Sequence, residues 1–280
     1  MNEKSGLKNF ASRLIVILLG IPAILLLIWT GGIPFATFIG LISLLALIEF
    51  YSLMIQKGFQ PWIPGGLAAG LAWIVVSYLS PDLLFPLIML ILLMFLGIML
   101  FKTVANATAN TAVTMLGFFY IPLMLSILII LRESPRQFGG EYREGSQLVM
   151  IIFAVIWICD SLAFIFGKWL GRRKIAPHIS PGKTWVGCIA GLAGAILMAL
   201  VIYYLNWKPD YLRLCDLLAI AVIVGIFGQS GDFIESVIKR DVGVKDSGTL
   251  LLGHGGVLDR FDSFLIAPAF VYLYILFLKM

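Results

Sequence analysis

The chain has 280 residues, 61% of them hydrophobic and 12% charged, with a formal net charge of +5 at pH 7 and a mean hydropathy of +1.02. Soluble domains carry about 25% charged residues, so the composition excludes an ordinary soluble domain and points to an integral membrane protein. The positive excess fits Lys and Arg held on the inner side of a bilayer against anionic headgroups, and it requires no nucleic-acid partner.

In chain order, residues 1–13 are polar and basic. The apolar run from Leu14 to Trp29 is long for a signal peptide and is followed by no small-x-small cleavage site, so it reads as a retained first transmembrane helix. Further apolar runs of roughly the 17–25 residues a spanning helix needs lie at about 33–55, 62–80, 82–101, 109–131, 147–167, 184–206, 212–235 and 262–279. The boundary at Ser80-Pro81-Asp82 is the tightest of these. Cys159, Cys188 and Cys215 each sit in or beside an apolar run with no metal-type spacing, and read as small core hydrophobes.

The expected fold class is therefore an all-α integral membrane protein of about nine transmembrane helices. With a cytoplasmic N-terminus, 14 of the 20 Lys and Arg fall on the cytoplasmic side, and the positive-inside bias favours that orientation. The C-terminus is then expected on the opposite side. Residues 1–145 would supply about five N-terminal helices of unassigned role. Residues 146–280 would supply about four helices and two polar cytoplasmic loops, the expected catalytic region.

Two polar constellations stand out. The first runs from Asp160 to Thr184. Asp160 lies inside an apolar helix, where a carboxylate is costly and marks a functional site by default; a structural hydrogen bond is the plainer reading. Asp160, Ala163, Gly167 and Gly171 share one helical face with Lys168 beside it, and small residues there also serve plain helix packing. The cluster Arg172-Arg173-Lys174 reads either as a topology determinant or as a working part of the loop. Ser180-Pro181-Gly182-Lys183-Thr184 is more specific: a turn fixed by Pro and Gly opens a helix whose N-terminal N–H groups, with Lys183, suit an anion. The Walker spacing is absent.

The second constellation, Ser236 to Asp262, reads SVIKRDVGVKDSGTLLLGHGGVLDRFD. Just before it, Asp232 falls in with Ser236, Lys239 and Arg240 on one helical face, and Glu235 is one turn from Asp232 and able to join it. Several Asp with no Cys pair suit a hard cation such as Mg²⁺, which takes one or two carboxylates together with phosphate oxygens and water. Lys and Arg neutralise phosphate and pyrophosphate, and glycines let the backbone approach a nucleotide closely. Together these residue types point to phosphoryl or nucleotidyl transfer at a membrane surface. For His254 three roles stay open: an acid, a phosphate donor, or a hydrogen bond that fixes the loop.

Over about 155–265 the sequence resembles the phosphatidate cytidylyltransferase family, the CDP-diacylglycerol synthases. The resemblance is carried by Ser236, Lys239, Arg240, Lys245, Asp246, Gly248, Gly253, His254, Gly255, Gly256, Asp259, Arg260 and Asp262, with Asp160-Ser161, Gly167-Lys168 and Ser180 to Trp185 upstream. Leu252 stands where the family usually has Pro. The resemblance implies CTP and phosphatidic acid as substrates, CDP-diacylglycerol and pyrophosphate as products, Mg²⁺ dependence and a homodimer. A second cation also fits, since paired metals can clamp both the attacking and the leaving oxygens. The expected location is a bacterial-type inner membrane, with the charge count turning the site to the cytoplasm.

On that basis Asp246 with Asp232 is expected to hold Mg²⁺, with Asp259 and Asp262 as further ligands. Lys239, Arg240, Lys245 and Arg260 are expected to hold phosphates, with His254 also in the catalytic set. Ser180, Pro181, Lys183, Thr184, Ser236, Gly255 and Gly256 would bind substrate, and Asp160, Ser161 and Lys168 would complete a polar cavity. A phosphomonoester's second pKa is about 6, so the lipid phosphate needs no strong general base, and positioning plus charge neutralisation should dominate. Two other readings stay open. One is a transporter using Asp160 and Asp232; the other is a CTP-dependent polyprenol kinase. Nucleotide-dependent pyrophosphate release separates the synthase from both.

Overall fold

The computed structural model describes residues 18–101, 105–138, 140–248 and 255–279. These hold nine helical segments and no strand, as the composition predicts. They are α1 (Leu18–Thr30), α2 (Gly32–Gln56), α3 (Ile63–Leu79), α4 (Leu84–Ile98), the rod made of α5 (Ala107–Phe118) and α6 (Met124–Phe138), α7 (Tyr142–Leu170), α8 (Trp185–Tyr204), α9 (Leu214–Val242) and α10 (Leu258–Lys279). Seven of the nine are long and apolar enough to cross a membrane, and α1 and α3 are shorter apolar helices. The Ser80-Pro81-Asp82 boundary becomes a 3-10 turn over Pro81–Leu83 that leads into α4. The α5–α6 rod runs through a π turn, Phe119–Leu123, around Pro122, where the missing proline N–H interrupts the regular ladder.

Hydropathy located these helices but shortened those that carry the polar residues. α7 begins at Tyr142 and ends at Leu170, where the apolar run suggests 147–167. α9 continues to Val242, closed by Gly243 at φ 84, so Ser236 to Asp241 are helical. α10 starts at Leu258. An apolar run reports the thickness of the hydrocarbon layer, whereas a helix continues until its last carbonyls are capped.

Two close crossings position the polar end of the bundle. α8 lays Gly187, Gly191 and Gly194 against α7; a Cβ at Gly187 would lie 2.6 Å from the Ala163 carbonyl, and one at Gly191 would lie 2.8 Å from that of Cys159. Such approach is how membrane helices gain contact without a hydrophobic driving force. Gly191→Leu is therefore expected to force α7 and α8 apart at an overpacking cost of about 1–3 kcal/mol, read as a lower Tm in detergent. α9 meets α10 at Gly231, where a Cβ would collide with the backbone of Asp262. That contact sets Asp232 beside Asp262.

The two ends of the bundle are tied differently. At one end, Lys57 of α2 pairs with Asp241 of α9, and Lys183 before α8 reaches Asp232. At the other, Arg132 is 1% exposed near the end of α6. Its Nε donates to Ile28 O at 2.6 Å and its Nη2 to Trp29 O at 2.9 Å, satisfying carbonyls where α1 stops. Its neighbour Glu133 accepts from Gly32 N at 2.9 Å and from the Tyr142 hydroxyl at 2.8 Å. The Arg132 guanidinium lies 4.2 Å from the centre of the Tyr142 ring. Gly31, at φ 62, leaves space for that guanidinium, which a Cβ would meet at 2.5 Å.

Candidate active site

The polar residues converge where the C-terminal parts of α2, α7 and α9 meet the N-terminal parts of α8 and α10. The centre is a group of three carboxylates. Asp232 and Glu235 come from one face of α9 and Asp262 from the first turns of α10, and each offers an oxygen within 4.8 Å of the others. Asp160 of α7 borders them: Ser263 Oγ donates to Asp160 Oδ2 at 3.5 Å, and the charges of Asp232 and Asp160 act on Asp262. Like charges this close repel unless cations balance them.

Two ammonium groups do part of that balancing. Lys183 Nζ lies 2.8 Å from Asp232 Oδ2, donates to Gln229 O at 3.3 Å, and sits 3.9 Å above the Phe233 ring. Lys239 bridges Glu235 and Asp259, reaching Asp259 Oδ1 at 2.6 Å. The Glu235 side chain is fully buried, and among the described residues its oxygens have no hydrogen-bond partner beyond the ion pair with Lys239. A buried carboxylate with unfilled acceptor capacity beside two other acids is a hard oxygen donor set, suited to a divalent cation.

The loop before α8 holds Lys183 in place. Ile175 N donates to Lys183 O at 3.2 Å and Trp185 N to Arg173 O at 3.1 Å, around an isolated antiparallel bridge between Lys174 and Thr184. Thr184 is the N-cap of α8, its hydroxyl accepting from Gly187 N at 3.1 Å, as sequence position suggests for a Thr before an apolar run. Ser180 accepts from Lys183 N at 3.2 Å, which closes the turn containing Pro181. Arg240 anchors the loop from α9: its Nε donates to Ile179 O at 3.1 Å and its Nη1 to Val244 O at 2.9 Å.

The remaining sequence-predicted residues fall into two sets. Ser236 joins the centre, its hydroxyl donating to Asp232 Oδ1 at 3.4 Å. Gly255, at φ 81, and Gly256 lie at the approach to α10. Lys245 and Asp246 are exposed on the bend after α9, Arg260 is exposed in the first turn of α10, and Ser161 and Lys168 are exposed on α7. Asp246 is thus outside the carboxylate group, and Glu235 is in it. Asp259 also has other partners: Oδ2 accepts from Ser247 N and Oγ at 3.0 Å each and from Gly256 N at 2.7 Å. His254, with Gly253 and Leu252, lies outside the described residues.

Sequence reading missed two residues here. Glu49 of α2 accepts hydrogen bonds from Val257 N, Leu258 N and Ser247 Oγ. The rule that flagged Asp160, that a carboxylate in an apolar run marks a site, applies equally to Glu49. Tyr120, in the π turn, is buried. Its hydroxyl makes no hydrogen bond among the described residues, and the charges of Glu235, Asp262 and Asp232 act on it. No local sequence signal singles it out.

The chain is similar to known proteins over nearly its whole length. A sequence profile described as "Cytidylyltransferase family" matches residues 11–278. A protein of Synechocystis sp. named "Phosphatidate cytidylyltransferase" is 31% identical over 289 residues, 95% of this chain and 96% of the relative. Two staphylococcal proteins with the same name match over shorter stretches. That of Staphylococcus haemolyticus is 43% identical over 129 residues, 46% of this chain and 48% of the relative. That of Staphylococcus saprophyticus is 45% identical over 122 residues, 44% of this chain and 46% of the relative.

Proposed function

The chain belongs to the cytidylyltransferase family, and from that premise we propose its chemistry. It is a nucleotidyltransferase of phospholipid biosynthesis that makes CDP-diacylglycerol from CTP and phosphatidic acid and releases pyrophosphate. The observation that carries this reading beyond the family is the group of Asp232, Glu235 and Asp262, flanked by Lys183 and Lys239, at one end of membrane-spanning helices. A site there meets a lipid headgroup from the bilayer and a nucleotide from water.

Activity of this class commonly uses a divalent cation, and the donor set suits Mg²⁺, with Asp232, Glu235 and Asp262 as its holders and Asp160 beside them as a carboxylate for a second cation. Bound there, the cation would neutralise charge on the triphosphate and polarise its α-phosphoryl group. In the reaction an oxygen of the lipid phosphate attacks the α-phosphorus of CTP. A new P–O bond forms, the bond to the β-phosphate oxygen breaks, and pyrophosphate leaves with that bond's electron pair. Lys183 is poised to exchange its pairing with Asp232 for a substrate phosphate. Arg240, Lys245 and Arg260, all exposed, extend the positive surface along which the triphosphate lies, Lys239 holds its charge between Glu235 and Asp259, and the α8 N-terminus adds backbone N–H groups. Asp246 joins the bound substrates from the exposed bend, and His254 remains within the catalytic set.

The charge distribution supports a cytoplasmic N-terminus, a C-terminus on the far side, and a catalytic face toward the cytoplasm of a bacterial-type inner membrane. Residues 146–280 then form the catalytic region on a platform made by 1–145, and the enzyme works as a homodimer. Purified protein in mixed micelles is expected to release pyrophosphate only when CTP, phosphatidic acid and Mg²⁺ are all present. Chelation should stop the release and added Mg²⁺ should restore it. Release without the lipid, or none at all from folded protein, would overturn the reading.

A further inference from the structure

Glu49 lies near the end of α2 and is 3% exposed. Its Oε1 accepts from Val257 N at 2.9 Å, and its Oε2 accepts from Leu258 N at 2.8 Å. Those N–H groups stand at the entrance to α10, where a helix leaves donors unpaired and carries partial positive charge. Oε2 also lies 3.2 Å from Ser247 Oγ, across a sequence separation of 198. The same hydroxyl lies 3.0 Å from Asp259 Oδ2. A serine has one hydroxyl proton to give, so the two carboxylates share it.

A continuous set of contacts therefore runs from Glu49 through Ser247 to Asp259, then through Lys239 to Glu235. The fit is close: a Cβ at Gly248 would lie 2.7 Å from Glu49 Oε1, and one at Gly256 would lie 2.5 Å from Oε2. Both glycines belong to the motif noted in the sequence, and the pressure of Glu49 against them gives a reason for Gly at each.

We propose that Glu49 is a positioning residue for the nucleotidyl transfer, seating both flanks of the 249–254 stretch on α2 so that Lys245, Asp246 and the start of α10 keep register with Asp232, Glu235 and Asp262. It touches no reacting atom and acts through Ser247 and Asp259. The proposal rests on the cytidylyltransferase reading above. It also makes the N-terminal helices part of the catalytic apparatus.

The test uses the full chain in mixed micelles with CTP, phosphatidic acid and Mg²⁺, comparing wild type, Glu49→Gln, Ser247→Ala, the double variant and Lys57→Ala. The amide of Glu49→Gln keeps the shape but presents N–H to N–H. kcat is expected to fall about 10²-fold, as for a misplacement of about 1 Å, with the KM for phosphatidic acid nearly unchanged. Ser247→Ala should lose less, and the double variant should be no worse than Glu49→Gln alone, because the two residues act as one unit. Without substrates or cation, trypsin should cut after Lys245 faster in Glu49→Gln and Ser247→Ala than in wild type, since the flank is released. Lys57→Ala removes another tie of α2 at the same end, away from the 249–254 flanks, and should match wild type in both readouts.

Wild-type kcat and wild-type cleavage in folded Glu49→Gln would overturn the proposal. So would losses that multiply in the double variant. Should Glu49→Gln fail to accumulate, Ser247→Ala decides: cleavage and kcat like wild type would overturn the proposal. A wild-type protein that releases no pyrophosphate would sink the functional reading alone, since the trypsin comparison would still judge the seating.

Discussion

Asp262→Asn is expected to abolish CDP-diacylglycerol formation, lowering kcat by about 10³-fold, or roughly 4 kcal/mol, while the cation-free protein stays folded. Asp232, Glu235 and Asp262 bring three carboxylates within 4.8 Å, with Asp160 beside them. Replacing one by an amide of the same shape removes repulsion, so the Tm measured in chelator should hold or rise. The same change takes a charge from the donor set that suits a hard cation. Stability and activity should therefore move in opposite directions, which a residue of purely structural importance would not do. Activity within tenfold of wild type would remove Asp262 from the site. Asp246→Asn is the companion experiment. Asp246 is exposed and outside the group, so loss with an intact fold is the result expected of a residue that meets the bound substrates, and full activity would remove it from the site.

Lys239→Met is expected to cost both stability and activity. The side chains of Lys239 and Asp259 are each 12% exposed, and that of Glu235 is 0%. Methionine fills the space but leaves two acids with no counter-charge between them, and breaking a buried pair from one side typically costs about 3–5 kcal/mol. A Tm well below wild type in micelles, with no pyrophosphate released, is the expected result. Adding Glu235→Gln should recover part of the Tm, because the uncompensated buried charge is gone, and should recover no activity. An unchanged Tm in the single variant would show that Lys239 does not stabilise the pair.

The fold was largely legible because a bilayer allows few solutions: an apolar run about as long as the hydrocarbon layer is thick becomes a helix. The helical face shared by Asp232, Ser236 and Lys239 was legible for a similar reason, since 3.6-residue periodicity is local. Glycines at the α7–α8 crossing were visible as small residues, although not their partners. Which acids would assemble was much less legible. Asp246 and Asp259 look equivalent to Asp262 in a motif, yet Asp259 is drawn to Ser247, Gly256 and Lys239 by the folding of its own loop. Glu235, on the same helix as Asp232, takes its place in the group. Glu49 belongs to another helix almost two hundred positions away, and no spacing rule connects residues across that distance.

Arg132 has a consequence for the order in which the protein is made. Its bond to Ile28 O spans 104 positions, and at a synthesis rate of about 5–20 residues per second the guanidinium follows that carbonyl by roughly 5–20 s. The turn between α1 and α2 waits for α6 before it is tied down. The opposite end waits longer still, because the backbone donors to Glu49, Val257 and Leu258, arrive only at the start of α10, 208 and 209 positions after it. The bundle thus locks at its far face early in biogenesis and at its polar face last, so a nascent chain gains a complete site only once α10 has entered the membrane.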